Sequence, residues 1–341
     1  MTTQCHTLEE LRSAVVADAQ LLNAIEEGFA AFSAGTVHVA PVVHLGFKDA
    51  AGAALGDTCV KTGFVKQAEH FVVKIASGHA GNAALGLSTS SGVMLVFSQL
   101  TGKLEAMLHD EGWLTDLRTA AAGAVVARRF APVGATKLGI VGTGVQARLQ
   151  LALLLSVLVD CREIVICGRS EAKLDAMASD CAALLPATAK LQTTTRSSDL
   201  VGCAVVVTAT SATSPVLHAA DIGPGTLVIA VGADGLGKQE LDPDILGAAE
   251  LVVVDSIAQC IAFGEASHAI AAGVVGAEAL VELGAAINDA RAVAESDGAP
   301  PPRLARAGGS RSVVADLTGV AVQDVVIATI ALAKLRGAGA C

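Results

Sequence analysis

The chain has 341 residues and a formal net charge of −10, and 52% of its residues are hydrophobic but only 3% aromatic. This length suffices for about two domains with a large core, and the hydrophobic content argues against disorder. The acidic balance argues against nonspecific binding of nucleic acid. No apolar run approaches the ~18 residues that span a bilayer, and the polar N-terminus lacks a secretory pattern. We expect a soluble, cytoplasmic protein without a membrane partner.

The eight cysteines are scattered along the chain and form no C-x-x-C pair. Such spacing favours neither a metal site nor a disulfide framework, whereas small buried thiols suit a reducing compartment. No metal is therefore predicted at the functional site.

The first third of the chain predicts helix followed by sheet. Residues 7–34 carry helical signals, with Thr7 ahead of Glu9 and Glu10. A second helix is predicted at Leu114–Phe130, before a break at Pro132. Between the helices, short β-like runs separated by Gly, Asn and Ser predict a mostly antiparallel sheet. These runs are Val39–Leu45, Cys59–Val65, Phe71–Ile75 and Val93–Phe97.

Beyond residue 134, predicted strands alternate with helices, which is typical of a doubly wound parallel sheet. An apolar run at Ser312–Leu317 and a helix at Val320–Leu335 close the chain, and Asp297–Pro302 (DGAPPP) is predicted to be a surface loop. The predicted strands are 138–141, 163–167, 203–208, 226–231 and 251–254, and the predicted helices are 145–159, 171–184 and about 242–248.

The most informative segment is KLGIVGTGVQA at Lys137–Ala147. Within it, Gly142 permits a tight turn after the strand, Gly144 lets a pyrophosphate approach the backbone, and Ala147 lets the helix pack closely. The helix N-terminus adds free N–H groups and a positive dipole end. We predict a dinucleotide site here, although an ordinary βα turn is the alternative. Its predicted members are Gly142, Thr143, Gly144, Val145 and Gln146.

The end of the second strand of this unit bears on the choice of cofactor. An acid normally stands here when the cofactor is NAD, because it accepts from the ribose hydroxyls. This chain instead has Arg169 and Ser170, which could bind a 2′-phosphate. We predict that NADP(H) is preferred and NAD(H) possible; a solvated turn arginine is the alternative. Thr208 and Thr210, at the end of a later strand, are also assigned to the cofactor.

Four charged residues stand in otherwise apolar or Gly-rich surroundings. Lys74 interrupts the strand-like run VVKIA, where a buried ammonium needs an anionic partner. Arg118 lies in the helix LTDLRTAAAGA. Asp234 and Lys238 follow a predicted parallel strand, at whose carboxyl end α/β sites form. Internal salt bridges would also explain each residue.

These residues belong to motifs that resemble the ornithine cyclodeaminase/mu-crystallin family over almost the whole chain. The resemblance implies a homodimer and an α/β fold, in which a Rossmann domain (131–311) is inserted in an α+β substrate-binding and dimerisation domain (1–130 plus 312–341). The motifs are VVKIASGHAGN (72–82), TDLRTAAAGA (115–124), GIVGTGVQAR (139–148), VGADGLGKQELDPDIL (231–246), VVVDS (252–256) with Gly264-Glu265, and LTGVAVQD (317–324).

The resemblance also implies roles for single residues. Lys74 and Arg118 match residues that bind the α-carboxylate of an amino or imino acid. Lys74 is also assigned to the catalytic site, and Arg118 is also assigned to the cofactor site. Asp234 matches the catalytic acid/base, and Lys238 lies by the nicotinamide ribose. Thr318 and Gly319 match backbone that closes over the substrate.

Two departures from the family pattern concern the substrate. His44 stands where ornithine cyclodeaminases have an arginine, and Lys61 stands where a glutamate holds the δ-amine of ornithine. A lysine repels an ammonium group in a dry pocket, so ornithine is not the expected substrate. Lys61 on an exposed edge strand and a structural His44 are the alternatives. An acid such as Asp57 or Glu69 could also pair with Lys61.

Three hypotheses for function follow. The first is an NAD(P)H-dependent reductase of an imino acid or cyclic ketimine, acting by hydride transfer as amino-acid dehydrogenases do. The second is a cyclodeaminase with tightly bound NAD that releases ammonia. The third is a non-catalytic, crystallin-like binding protein, which would not require Lys74, Arg118, Asp234 and Lys238 together.

Overall fold

The computed structural model describes residues 3–297 and 312–338. Residues 298–302 of the predicted DGAPPP loop lie outside this range, and Asp297 ends a helix. The strands, in chain order, are β1 (Gln4–His6), β2 (Val37–Val39), β3 (Val43–Lys48), β4 (Ala54–Val65), β5 (His70–Gly78), β6 (Ser90–Ser98), β7 (Leu104–Leu108), β8 (Lys137–Val141), β9 (Glu163–Cys167), β10 (Lys190–Thr194), β11 (Val205–Thr208), β12 (Thr213–Leu217), β13 (Leu227–Ala230), β14 (Gln239–Leu241), β15 (Leu251–Val254), β16 (Leu280–Glu282) and β17 (Val313–Asp316). The helices are α1 (Leu8–Ala14), α2 (Ala19–Ser33), α3 (Trp113–Phe130), α4 (Val145–Val157), α5 (Glu171–Cys181), α6 (Pro243–Ala248), α7 (Ile257–Phe263), α8 (Glu265–Ala271), α9 (Leu283–Asp297) and α10 (Ala321–Ala338).

The chain forms two compact units. The first comprises Met1–Arg118 and Val320–Cys341, and the second comprises Thr119–Gly319. The domain boundaries expected from the sequence, at residues 130 and 312, fall at different positions and remain a prediction. Among the described residues, no helix combines the length and apolar character that crossing a membrane requires.

The first unit contains a seven-stranded sheet in the order β1-β7-β6-β5-β4-β2, with β3 also paired to β4. All its pairings are antiparallel except that between β1 and β7. Helix α10 packs against β4, β5 and α2. The antiparallel sheet predicted from the sequence is therefore present.

Two expectations for this unit need correction. The helical signals over residues 7–34 form two helices, because Val15 ends α1 in an extended conformation and the Asp18 side chain caps α2. The single run predicted at Val39–Leu45 is divided between β2 and β3. Pro41 lies in the break and has no backbone N–H to donate to a sheet.

The second unit is built on an eight-stranded sheet, in the order β10-β9-β8-β11-β13-β17-β15-β16, whose pairings are all parallel. Its central strands are apolar and buried, as expected for strands covered on both faces. The sequence grouped residues 312–319 with the first domain. In the structure β17 instead lies between β13 and β15 and pairs with both, because this buried apolar strand fits the interior of the parallel sheet.

Candidate functional site

The glycine motif adopts the predicted strand–turn–helix arrangement. Gly142 follows β8 with φ 125°, and a Cβ there would lie 2.4 Å from the carbonyl oxygen of Ala209. Gly144 is the N-cap of α4, is exposed, and has open space where a side chain would point. Ala147 is fully buried. The open space over the N-terminus of α4 fits a pyrophosphate close to the backbone.

Arg169 and Ser170 lie just beyond β9, the strand next to β8. Arg169 is exposed, and Ser170 is the N-cap of α5 without a side-chain capping bond. The preceding Gly168 passes close to the glycine loop, because a Cβ there would lie 3.0 Å from the Cγ2 of Thr143. Arg169 therefore follows directly on a backbone segment that packs against the glycine loop.

Thr208 and Thr210 are both held by the carboxylate of Glu240. The Thr208 hydroxyl donates to Oε2 of Glu240 at 2.8 Å, and the backbone N–H of Thr210 donates to Oε1 at 2.5 Å. Thr208 is fully buried, so its hydroxyl serves this internal contact. Burial raises the pKa of Glu240, while the bonds from Thr208, Thr210 and Gly232 act in the opposite direction.

Asp234 and Lys238 lie in the loop between β13 and β14 and form an ion pair. The Nζ of Lys238 is 2.5 Å from Oδ1 of Asp234, with side chains 31% and 50% exposed respectively. The Lys238 carbonyl oxygen is 2.9 Å from Nε2 of His268 on α8. Asp234 thus keeps access to solvent, as a group that exchanges protons requires.

Thr318 and Gly319 follow β17 and contact Asp255. The Thr318 hydroxyl donates to Oδ1 of Asp255 at 3.0 Å, and the Gly319 N–H donates to Oδ2 at 2.6 Å. Gly319 has φ 82°, a conformation that favours glycine. The turn expected to close over the substrate is thus held by the buried carboxylate of Asp255, which lies in the VVVDS motif but was assigned no role.

The other candidate residues lie in the first unit, on the sheet face that packs against α10. The antiparallel register of β4 and β5 places Lys61 directly opposite Lys74. His44 on β3 is opposite Cys59, two residues along β4 from Lys61, so His44 shares their sheet face. Lys61, Lys74 and Arg118 are at most 4% exposed.

One carboxylate, Asp324 of α10, binds two of these cations. Its Oδ2 lies 3.4 Å from Nζ of Lys74, and its Oδ1 lies 3.0 Å from Nε of Arg118. The guanidinium of Arg118 also donates from Nη1 to Oε1 of Gln323 at 3.1 Å. We call Lys61, Lys74, Arg118 and Asp324 the cationic cluster.

The electrostatics of the cationic cluster are unusual for buried groups. Burial, together with repulsion from Lys74 and Arg118, lowers the pKa of Lys61 to about 8. Burial opposes ionisation of Asp324, but Lys74 and Arg118 outweigh it and hold the pKa of this carboxyl below its usual value. The cluster is thus predominantly positive and surrounds a carboxylate that is ionised at neutral pH.

Two expectations about Lys61 are therefore corrected. It does not occupy an exposed edge strand, because β4 lies inside the sheet and buries it. The acid whose charge acts on the Lys61 ammonium, in the direction that raises its pKa, is Asp324, not Asp57 or Glu69. Asp324, the last residue of the LTGVAVQD motif, was assigned no role, although an acid in an otherwise apolar helical segment is the same signal that identified Lys74.

A second group of buried acids was missed in the second unit. Burial and repulsion from Asp316 raise the pKa of Glu265 to about 9, and burial raises that of Asp316 to about 7. Glu265 accepts from the backbone N–H groups of Glu240 and Leu241, and Asp316 accepts from that of Ala266. These acids hold backbone near the carboxyl ends of the parallel strands.

Among the described residues, Glu69, His70 and Glu105 bring three ligand atoms close enough to share a metal ion. Arg336 already donates to Oε2 of Glu105 at 2.8 Å, and the same oxygen lies 3.2 Å from Nε2 of His70. An ion-pair network accounts for this group.

Comparisons with known proteins agree with the sequence motifs. The model of the ornithine cyclodeaminase/mu-crystallin family matches residues 1–338. A protein of Rhizobium meliloti, named only as a dehydrogenase, is 36% identical over 98% of this chain and 96% of its own length. The iminosuccinate reductase of Paracoccus denitrificans is 32% identical over 92% of each chain.

A solved structure is similar over the same extent. An archaeal alanine dehydrogenase dimer with bound NAD has a TM-score of 0.86 and 29% identity, and the match covers 99% of this chain and 98% of that one. The α/β fold with a Rossmann unit and the oxidoreductase class predicted from the sequence are thereby confirmed. Because the family model covers nearly the whole chain, the protein belongs to the ornithine cyclodeaminase/mu-crystallin family.

Proposed function

We propose that the protein is an NADP(H)-dependent reductase that converts an imino acid or cyclic ketimine to an L-amino acid. The observation that carries this proposal is the buried cationic cluster, in which three cations stand against one carboxylate, Asp324, so that Lys74 and Arg118 can also attract a substrate carboxylate in a dry setting. A carboxylate held there would be fixed in orientation, which lowers the entropic part of the barrier.

The reaction needs a hydride and a proton for the C=N bond. A reduced nicotinamide, when bound, would supply hydride chemistry for the imine carbon. Asp234 supplies the proton that balances the reaction at nitrogen, since it is solvent-accessible and is held by Lys238 at 2.5 Å. In the reverse direction, Asp234 would take the same proton from the amino acid.

The residues of the second unit fit a dinucleotide. The exposed Gly144 at the N-terminus of α4 leaves room for a pyrophosphate, and Gly142 makes the turn that brings the backbone there. Arg169, exposed beyond the neighbouring strand, is proposed to bind the 2′-phosphate that distinguishes NADP from NAD.

The cationic cluster also favours an acidic substrate. Lys61 is repelled by Lys74 and Arg118, so a second carboxylate on the substrate would relieve a repulsion that a monocarboxylate leaves in place. We therefore propose an imino dicarboxylate as the preferred substrate, a class to which the substrate of the similar iminosuccinate reductase belongs by its name.

The protein is proposed to act as a homodimer through the open face of the first unit's sheet. Phe64, Phe71 and Phe97 stand in register across β4, β5 and β6, and the rings of Phe71 and Phe97 stack at 4.9 Å. Along β3, Val43 and Leu45 are about half exposed on this same face. A second copy would cover these side chains. In analytical ultracentrifugation, Phe71→Asp should dissociate a dimer that the surface control Val159→Asp leaves intact.

Absorbance at 340 nm tests the activity. Purified protein is mixed with NADPH or NADH and with cyclic imines, or with keto acids plus ammonia, including keto dicarboxylates. Stoichiometric oxidation of NADPH supports the reductase. Ammonia release without net oxidation of the cofactor would favour the cyclodeaminase. The charge of Lys61 argues against that reaction for substrates that carry a second amino group. Neither event would favour a non-catalytic binding protein.

A further inference from the structure

We propose that Glu240 is a positioning residue that ties together the loops after β11 and β13 and thereby sets the position of Asp234. The proposal rests on the proposed function in one respect, the role of Asp234 in proton transfer. The contacts of Glu240 all lie within the second unit.

The Glu240 carboxylate joins two adjacent strand ends. The Thr208 hydroxyl and the Thr210 N–H reach it from the end of β11, at 2.8 and 2.5 Å. The Gly232 N–H, just beyond β13, donates to Oε2 at 2.7 Å. Because β11 and β13 are parallel neighbours, both loops leave the same edge of the sheet. The Glu240 side chain therefore extends the link between the two strand ends beyond the last backbone bond, from the Val231 N–H to the Thr208 carbonyl oxygen at 3.0 Å.

The same contact closes the loop that carries the catalytic candidates. Gly232 lies near the start of this loop and Glu240 lies in β14, just beyond its end, with Asp234 and Lys238 between them. The hydrogen bond from the Gly232 N–H to the Glu240 side chain therefore ties the loop at its base. The position of Asp234 is then set relative to β11 and β13, not by the loop alone.

The packing around this tie is tight. A Cβ added to Gly232 would lie 2.3 Å from the Thr210 carbonyl oxygen and 2.5 Å from the Glu240 carboxyl carbon. The two loops therefore approach at backbone distance, which only glycine allows here. A change at Glu240 that enlarged this spacing would move Gly232, and with it the start of the loop that holds Asp234.

The backbone of Glu240 is also held, by the carboxylate of Glu265. Its N–H donates to Oε1 of Glu265 at 2.7 Å, and the N–H of Leu241 donates to Oε2 at 3.1 Å. The backbone of Glu240 is thus held by contacts that do not involve either loop. An apolar side chain could fill this fully buried position at a lower desolvation cost, so the three donated hydrogen bonds, not packing, account for a carboxylate here.

The test compares Glu240→Gln with two variants. The amide keeps the shape but replaces one acceptor oxygen with a donor, which must face one of the three donors. Asp221→Asn is the matched control, because Asp221 is also buried in this unit but accepts from the His218 N–H, a residue of neither loop. Thr208→Val removes one bond to Glu240 and keeps the carboxylate.

Hydrogen–deuterium exchange supplies a readout that needs no activity. We expect faster exchange at residues 208–210 and 232–240 in Glu240→Gln, a smaller increase in Thr208→Val, and parent-like exchange in Asp221→Asn. Unchanged exchange of both segments in Glu240→Gln overturns the proposal, whatever reaction the protein catalyses. If Glu240→Gln does not fold, unchanged exchange of both segments in Thr208→Val overturns it instead.

Kinetics then tests the link to Asp234. We expect Glu240→Gln to lose about 10- to 100-fold in kcat with little change in KM for the imino acid, the scale of a misplaced catalytic group. Its pH profile should shift in the limb that Asp234→Asn abolishes. Parent-like kcat together with loosened loops would overturn the link to Asp234, and an inactive parent enzyme would overturn the proposed function alone.

Discussion

Lys61 and Lys74 stand directly opposite each other on β4 and β5, buried and with Asp324 beside them. Like charges in this cross-strand position destabilise a sheet. The structure tolerates the pair because Asp324 binds Lys74, while burial, together with repulsion from Lys74 and Arg118, lowers the pKa of Lys61 to about 8. An arrangement that costs stability is expected where it serves a ligand.

Asp324→Asn should destabilise the protein strongly. The substitution leaves Lys74 and Arg118 buried without the carboxylate that they bind, which costs about 3–5 kcal/mol in comparable buried pairs. The free energy of unfolding in urea measures this loss. Asp160→Asn, which removes an exposed carboxylate, is the control and should be near neutral. Equal stability of the two variants would show that the cationic cluster does not depend on Asp324.

Changes at Lys61 should test the acidic substrate. If Lys61 binds a second carboxylate, Lys61→Met should lower kcat/KM for an imino dicarboxylate by about 10- to 100-fold, the scale of a lost charge-assisted contact. The kcat/KM for a monocarboxylate should stay unchanged. Lys61→Glu should abolish activity on the dicarboxylate, and it is the variant in which a diamino acid should be tried. Unchanged kinetics on the dicarboxylate would mean that Lys61 is structural.

Arg169→Ala should weaken the binding of NADPH selectively. The loss of a charge-assisted contact with the 2′-phosphate is worth about 1–3 kcal/mol, whereas binding of NADH should hardly change. Quenching of protein fluorescence by each cofactor measures the two affinities. Lys190→Ala, an exposed cation where β10 begins at the opposite edge of the sheet, controls for general charge effects. A parent protein that prefers NADH would refute the assignment at once.

Asp234→Asn should separate binding from turnover. The amide keeps the shape but cannot exchange the proton, so turnover should fall by about 10²- to 10⁴-fold while cofactor affinity stays near that of the parent. Steady-state kinetics and cofactor titration report the two quantities. Near-normal turnover would move the proton transfer to Lys74 or to water.

Stability should decrease as the pH rises from 5 to 7. Glu265 and Asp316 have ordinary pKa values of 4.5 and 3.8, but in the folded protein burial raises them to about 9 and about 7. In this interval the folded state therefore binds more protons than the unfolded state. The resulting stabilisation of the folded state is complete below the ordinary pKa values and is lost as the pH rises. The slope is up to about 1.4 kcal/mol per pH unit for each group.

Urea unfolding at pH 5, 6 and 7 measures this slope, and Asp316→Asn serves as the comparison. The variant retains an oxygen to accept from Ala266 but cannot titrate, so its slope should be shallower than that of the parent. Stability that is constant or rises with pH in the parent would contradict the raised pKa values.

The sequence by itself determined the features that depend on neighbours along the chain. The strand, Gly142, Gly144 and the helix of the dinucleotide motif occupy one short segment, so their order already specifies the turn. The parallel sheet followed from the alternation of apolar runs with helices. Lys74 and Arg118 stood out because a charge in an apolar segment must be compensated.

Only the tertiary structure decided the features that join distant segments. The partner of Lys74 and Arg118 proved to be Asp324, because α10 packs against β4 and β5. The position of β17 in the sheet depended on its pairing with β13 and β15. The sequence of a short apolar strand indicates that it is buried but not which strands lie beside it. The tie from Glu240 to Thr208 and Gly232 likewise exists only once two strand ends meet at one edge of a sheet.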